Sequence, residues 1–145
     1  MFTGKYVFSQ LIGLVSPTSL QTIVNRHSGD YKVREFSCWK QFLCMVFGQL
    51  THRESITDTM MCINAIANKS YHLGFGKVVA ISTITRANEN RSYKIYEEHA
   101  MLLIKEAKRL YGKSNSSNFL LIPVFSISIF ISFIPPQGVT ILSLY

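Results

Sequence analysis

Acidic side chains are scarce: 8 Asp and Glu stand against 15 Lys and Arg, giving a formal charge of +7. Two-metal phosphoryl transfer needs several carboxylates converging on cations about 4 Å apart. These acids sit mostly at solvent-facing helix positions beside lysines or arginines, so no catalytic metal cluster and no cofactor is expected. Cysteine is equally sparse. Cys38, Cys44 and Cys62 form no CxxC pair, and an odd count does not suggest a disulfide framework. Cys38 and Cys62 fall inside helical patterns, where a reduced thiol acts as a small apolar side chain, and a reducing cytoplasm fits. His27, His52, His72 and His99 show neither HxxxH nor HExxH spacing, which argues against zinc. After Lys113 charge is absent altogether, through the last 32 residues.

What is present is unevenly placed. Residues 1–68 hold six basic and four acidic side chains, net +2, and residues 69–113 hold nine and four, net +5. Cations gathered in one region favour polyanions such as nucleic acid or an acidic membrane surface, although a solvated basic face serving solubility has the same composition. A length of 145 residues is about one domain. The N-terminal "MFTGKYVFSQLIGLVSPTS" superficially resembles a signal peptide, but Ser9, Gln10 and Gly13 break its apolar stretch. An amphipathic helix suits it better than a secretory core.

Apolar periodicity predicts helices through most of the first 112 residues. Val7, Phe8, Leu11, Ile12 and Val15 share one face. Ser16 and Pro17 read as an N-cap and a first-turn proline, leading into a helix that buries Leu20, Ile23 and Val24 and ends near "HSGD". A short extended "YKVREF" follows. Ser37 caps a third helix whose stripe is Trp39, Phe42, Leu43, Val46, Phe47 and Leu50. Thr51 and Glu54 of "THRE" have capping-box spacing, ahead of a helix turning Ile56, Met60, Ile63 and Ala67 inward and stopping at "NKS". A last helix of about five turns places Tyr93, Tyr96, Ala100, Leu103, Ala107 and Leu110 on one side and stops at Gly112. The expected fold is all-α: a compact bundle of five or six helices with no βαβ alternation.

The stretch "YHLGFGKVVAISTITRANENR" carries the sharpest functional signal. A phosphate loop needs GxxxxGK followed by Ser or Thr; "GFGKVV" has the wrong spacing, and Val78 stands where a hydroxyl is required. The dinucleotide fingerprint fails too, for want of a third glycine and a leading strand. The glycines therefore read as a turn. Beyond it Ser82 can cap a short helix, "STITRANEN", with Ile84 and Ala87 inward and Thr83, Thr85, Arg86, Asn88 and Asn90 outward. Hydroxyls, amides and a guanidinium bond base edges and phosphates. Arg91 and Lys94 flank this helix on one side and Lys77 on the other. Helix, glycine turn and cationic helix form a helix-turn-helix-like unit, though the connection from Asn68 to Ser82 exceeds the usual short turn. An ordinary polar surface helix is the competing reading.

Four blocks in order, "GKYVFSQLIGLV", "FSCWKQFLCMVFGQLTHRESITD", "YHLGFGK" and "RANENRSYKIYEEHAMLLIKEAKR", resemble the N-terminal domain of DDE-type bacterial transposases of insertion-sequence family 4. The resemblance spans about residues 3–112. It implies a cytoplasmic domain, residues 1–113, that binds double-stranded DNA at the terminal inverted repeats of its element. Lys77, Thr83, Thr85, Arg86, Asn88, Asn90, Arg91 and Lys94 are the expected contacts. A homodimer or an intact transposase is the implied protein partner. In such proteins a ribonuclease-H-like domain with Asp, Asp and Glu follows, and that domain would use Mg. Here the corresponding place reads "NFLLIPVFSISIFISFI", and the last carboxylate side chain is Glu106. The expectation is therefore a transposase fragment truncated before its catalytic domain.

Residues 114–145 read as an apolar tail, aberrant or disordered. About 16 apolar or small residues precede Pro135, slightly short of a membrane span, and three prolines oppose a regular helix in water. The alternative function is a small membrane protein anchored by residues 118–145, its basic helical body facing the cytoplasm.

Overall fold

The computed structural model describes residues 7–77 and 79–111, and every regular element among them is a helix. In order these are α1 (Val7–Ile12), α2 (Pro17–Arg26), α3 (Cys38–Leu50), α4 (Ile56–Ala65), α5 (Ala67–Ser70), α6 (Ile81–Asn90) and α7 (Lys94–Tyr111). The all-α class and the compact packing agree with the sequence. The count exceeds the expected five or six because the helix predicted to reach "NKS" breaks at Ile66, leaving α5 as a single turn. Ala67 is exposed in consequence.

α3 is the centre. Cys38, Gln41, Phe42, Leu43, Cys44, Met45, Phe47 and Gly48 are all buried, so the helix is covered on most of its circumference. α2 supplies Leu20, Ile23 and Val24, α4 Met60 and Ile63, α6 Ile84, and α7 Ile95, Tyr96 and Ala100. Each fully buried Leu or Ile stabilises the fold by about 1.5–3 kcal/mol relative to exposure. Three rings fasten the N-terminus: Phe8 lies 5.5 Å from both Phe47 and Phe75, and Phe47 meets Phe75 edge-on at 5.6 Å. Ser9 Oγ adds a bond to the His72 carbonyl at 2.9 Å. The predicted α1 face is only half used, since Val7 and Leu11 remain exposed while Phe8, Ile12 and Val15 pack inward.

Helix ends explain most other departures from expectation. Ser16 and Pro17 do open α2, and Ser37 Oγ does accept from Lys40 N–H. Thr51, however, closes α3 instead of opening α4: its hydroxyl donates to the Phe47 carbonyl at 2.7 Å, and His52 follows at φ +53. The true cap lies four residues on, where Ser55 Oγ accepts from Asp58 N–H at 3.0 Å. α2 stops in the same left-handed way. Ser28 sits at φ +52, Gly29 N–H reaches the Val24 carbonyl at 2.9 Å, and Ser28 N–H reaches Asn25 at 3.3 Å.

α7 buries Ile95, Tyr96, His99 and Ala100, a stripe rotated from the predicted one, so that Tyr93 is 41% exposed. Four buried residues at spacings of one and three reflect docking on α2 and α3 together, a wider contact than one helix neighbour provides. Leu103 and Ala107 are half-buried; the side chain of Leu110 lies outside the described residues. No described helix is long and apolar enough to cross a membrane. Residues 114–145, on which the tail and membrane-anchor readings rest, lie outside the described residues.

Candidate nucleic-acid interface

Ile84, 1% exposed, pins α6 to the core, with Ile81 and Ala87 packed beside it. At about 100° per residue, Arg86 then stands roughly 160° round the helix from Ile84, at the middle of the outer face. Thr83, Arg86 and Asn90 share that face and are exposed. Thr85 is exposed as well, with its hydroxyl donating to the Ile81 carbonyl at 3.1 Å. Asn90 Nδ2 donates to the Arg86 carbonyl at 2.8 Å. Glu89 is the one acid on this helix and it is exposed too. Ser82 does not cap α6. The helix starts at Ile81 with Ala80 in the capping position and no side-chain cap, because the extended chain from the glycine bend enters two residues earlier than expected.

Two residues expected on the outside are turned inward. Asn88 Oδ1 accepts a short bond from Gln41 Nε2, which draws the amide to α3. Arg91 has a side chain only 8% exposed. Its Nη1 donates to Gln41 Oε1 at 2.7 Å, its Nη2 donates to the Phe36 carbonyl and lies 3.5 Å from Asp30 Oδ1, and the guanidinium rests 5.6 Å from the Phe36 ring centre. A planar fork of donors suits such a corner, where one carboxylate, one amide and one carbonyl must all be met. Tyr96 Oη completes the cluster by donating to Gln41 Oε1 at 2.7 Å. The end of α6 and the start of α7 are thus locked to α3 through one buried glutamine.

Lys77 and Lys94 are exposed, the first just after the glycine bend and the second opening α7. The bend needs its glycines: Gly74 is at φ +87 and Gly76 at φ +66, where a side chain is strained. Sequence reasoning missed Gln41 and Lys40. The trace of both was a lone "KQ" inside the apolar run "CWKQFLCMVFGQL".

Other chemistry is unpromising at this face. Burial pushes the Cys44 thiol up to about 12 against the pull of Lys40, and the Cys38 thiol up to about 12 against that of Arg91, so neither is a nucleophile at neutral pH. Glu98 bonds His27 at 2.8 Å and Arg26 at 2.7 Å; the His27 bond, then the Arg26 charge, hold its carboxyl below the usual range. Glu97 occupies the first turn of α7, as expected from the helix dipole. Among the described residues, no group of three or more His, Cys, Asp or Glu side chains is placed to hold a metal ion.

No curated protein and no solved structure matches this chain. A family model described as "Domain of unknown function (DUF4372)" matches residues 3–76, which run from before α1 to the glycine bend and leave α6 and α7 beyond it. That match covers half of the 145 residues, and the chain belongs to the DUF4372 family, a domain family associated with transposase-like proteins.

Proposed function

We propose that this chain is a DNA-binding helical domain of an insertion-sequence transposase, with α6 as the helix that enters the major groove at the element's terminal inverted repeats. The observation that carries the reading is the outer face of α6, where Thr83, Arg86 and Asn90 stand exposed on a base pinned by Ile84. Arg86 forms no ion pair among the described residues, so its five donors are available to a guanine edge or a phosphate. The packing of α4 against α6 supports the reading, since a helix-turn-helix reader needs two packed helices, and α5 and the glycine bend would then serve as an extended turn.

Residues divide by role. Arg86 and Asn90 read bases, Thr83 and Thr85 support them, and Lys77 and Lys94 hold phosphates on either side. Asn88 and Arg91 act from below, fixing the angle of α6 through Gln41. Family membership supports the transposase context, and the +5 net charge of residues 69–113 supports a polyanionic partner. The test is selection from a random duplex pool by the purified full chain. A short enriched sequence is expected, and recovery of an unchanged pool would remove the base-reading role of α6.

A further inference from the structure

Lys40 lies in the first turn of α3, 36 positions before Gly76, yet the two meet. A Cβ built on Gly76 would stand 3.6 Å from Lys40 Nζ and 3.8 Å from its Cε, so the bare backbone of the bend is what the ammonium rests beside. Lys77 is the next residue. Lys40 and Lys77 line the same small dimple, whose floor includes Phe36, Cys44, Met60 and Val79 and contains no acid. The ion pairs among the described residues engage Arg26, His27, Arg53, Arg91 and Arg109, and neither lysine. Lys40 is half-buried, and a cation partly withdrawn from water without a counter-charge is costly. A lysine beside apolar residues can cover them with its stem and carry its charge to the surface. What the described residues leave out here is an anion, and Lys77 stands four residues before α6 begins at Ile81.

We infer that Lys40 and Lys77 form a phosphate-holding pair that seats the DNA backbone against the glycine bend and so aims α6 into the adjacent groove. This rests on the DNA-binding reading and adds a contact from α3. The pair carries no sequence information, because phosphates are the same at every step.

The test measures affinity of the full chain for the selected duplex and for a scrambled one, by anisotropy across salt concentrations. Lys40→Met keeps the aliphatic stem and removes the charge. Its plot of log affinity against log salt should be shallower by about 0.9, the double variant with Lys77→Met by about 1.8, with equal loss on both duplexes. Lys40→Arg should keep the wild-type slope. An unchanged slope in folded Lys40→Met overturns the pairing while leaving α6 as the reader. If Lys40→Met fails to fold, exposed Lys77→Met carries the test, and an unchanged slope there overturns the pairing equally. Wild-type protein that binds neither duplex overturns the DNA-binding reading itself, and the pair with it.

Discussion

The guanidinium of Arg91 donates to the side-chain oxygen of Gln41 at 2.7 Å, joining the end of α6 to the N-terminal part of α3. That bond separates two arginines of the same short segment. Arg91 is buried and engaged, while Arg86 is exposed. Replacing Arg91 by Ala should destabilise the fold by about 3 kcal/mol, since Asp30 and Gln41 lose a buried partner. Arg86→Ala should change stability by less than about 0.5 kcal/mol and weaken binding of the selected duplex by about 1–3 kcal/mol. Thermal melts and binding isotherms on both variants check the division. A stable Arg91→Ala protein that has lost only DNA affinity would reverse the two roles.

Glu89 opposes the proposed use of its own helix. Its exposed carboxylate stands beside Arg86 on the outer part of α6, where it repels phosphate. Glu89→Gln should tighten DNA binding by roughly twofold, about 0.5 kcal/mol, the scale of one exposed charge interaction. The gain should shrink at high salt. Weaker binding in this variant would place the DNA elsewhere.

His99 should make the fold acid-sensitive. It is fully buried, edge-on to Phe42 at 5.2 Å, and neither ring nitrogen has a hydrogen-bond partner among the described residues. Burial lowers its pKa from the ordinary 6.5, so the unfolded chain takes up a proton at a pH where the folded chain does not. The associated stability is complete above pH 6.5 and is lost as pH falls below it towards the lowered folded value. Glu98, whose pKa is lowered from 4.5, loses its contribution only at still lower pH, which separates the two windows. Melting temperature should therefore fall between pH 7 and pH 5. His99→Leu should flatten that dependence and be neutral or stabilising at pH 5, because it removes two unsatisfied polar atoms. An equally steep fall in His99→Leu would assign the acid sensitivity to another group.

Ser28 occupies a position that glycine usually fills. At φ +52 its side chain pays a left-handed penalty at the end of α2 while its backbone makes the stop. Ser28→Gly should raise stability by about 0.5–1 kcal/mol. The neighbouring glycine is the reverse case: a Cβ on Gly29 would come within 2.5 Å of Ile95 Cδ1 and 2.9 Å of Cys38 Sγ. Gly29→Ala should cost about 1–3 kcal/mol by overpacking. Denaturant melts decide both, and a stabilised Gly29→Ala would mean that Ile95 has room to move.

Local rules reached some features and not others. The α3 stripe as far as Phe47, the Ser16–Pro17 opening, the Ser37 cap and the inward pair Ile84 and Ala87 follow from spacing along one helix, which the chain displays directly; Leu50, expected on the α3 stripe, is 49% exposed where the helix ends. The misreadings have two origins, a local competition at Thr51 and distant partners for the others. Thr51 has capping-box spacing to Glu54, but its hydroxyl was already committed to the preceding turn at Phe47. Asn88 and Arg91 carry the same polar chemistry as Asn90 and Arg86. What turns them inward is Gln41, 47 and 50 positions away. The stripe of α7 shifted because it docks on α2 and α3 at once. Polarity announces a hydrogen bond, and topology decides with whom.

Salt titration of duplex binding by the full chain tests the central claim most directly. If the cations around α6 grip DNA, log affinity falls linearly with log salt, and Arg86→Ala abolishes the preference for the selected sequence while leaving most of that slope. Binding that is absent, or that does not respond to salt, would contradict the account.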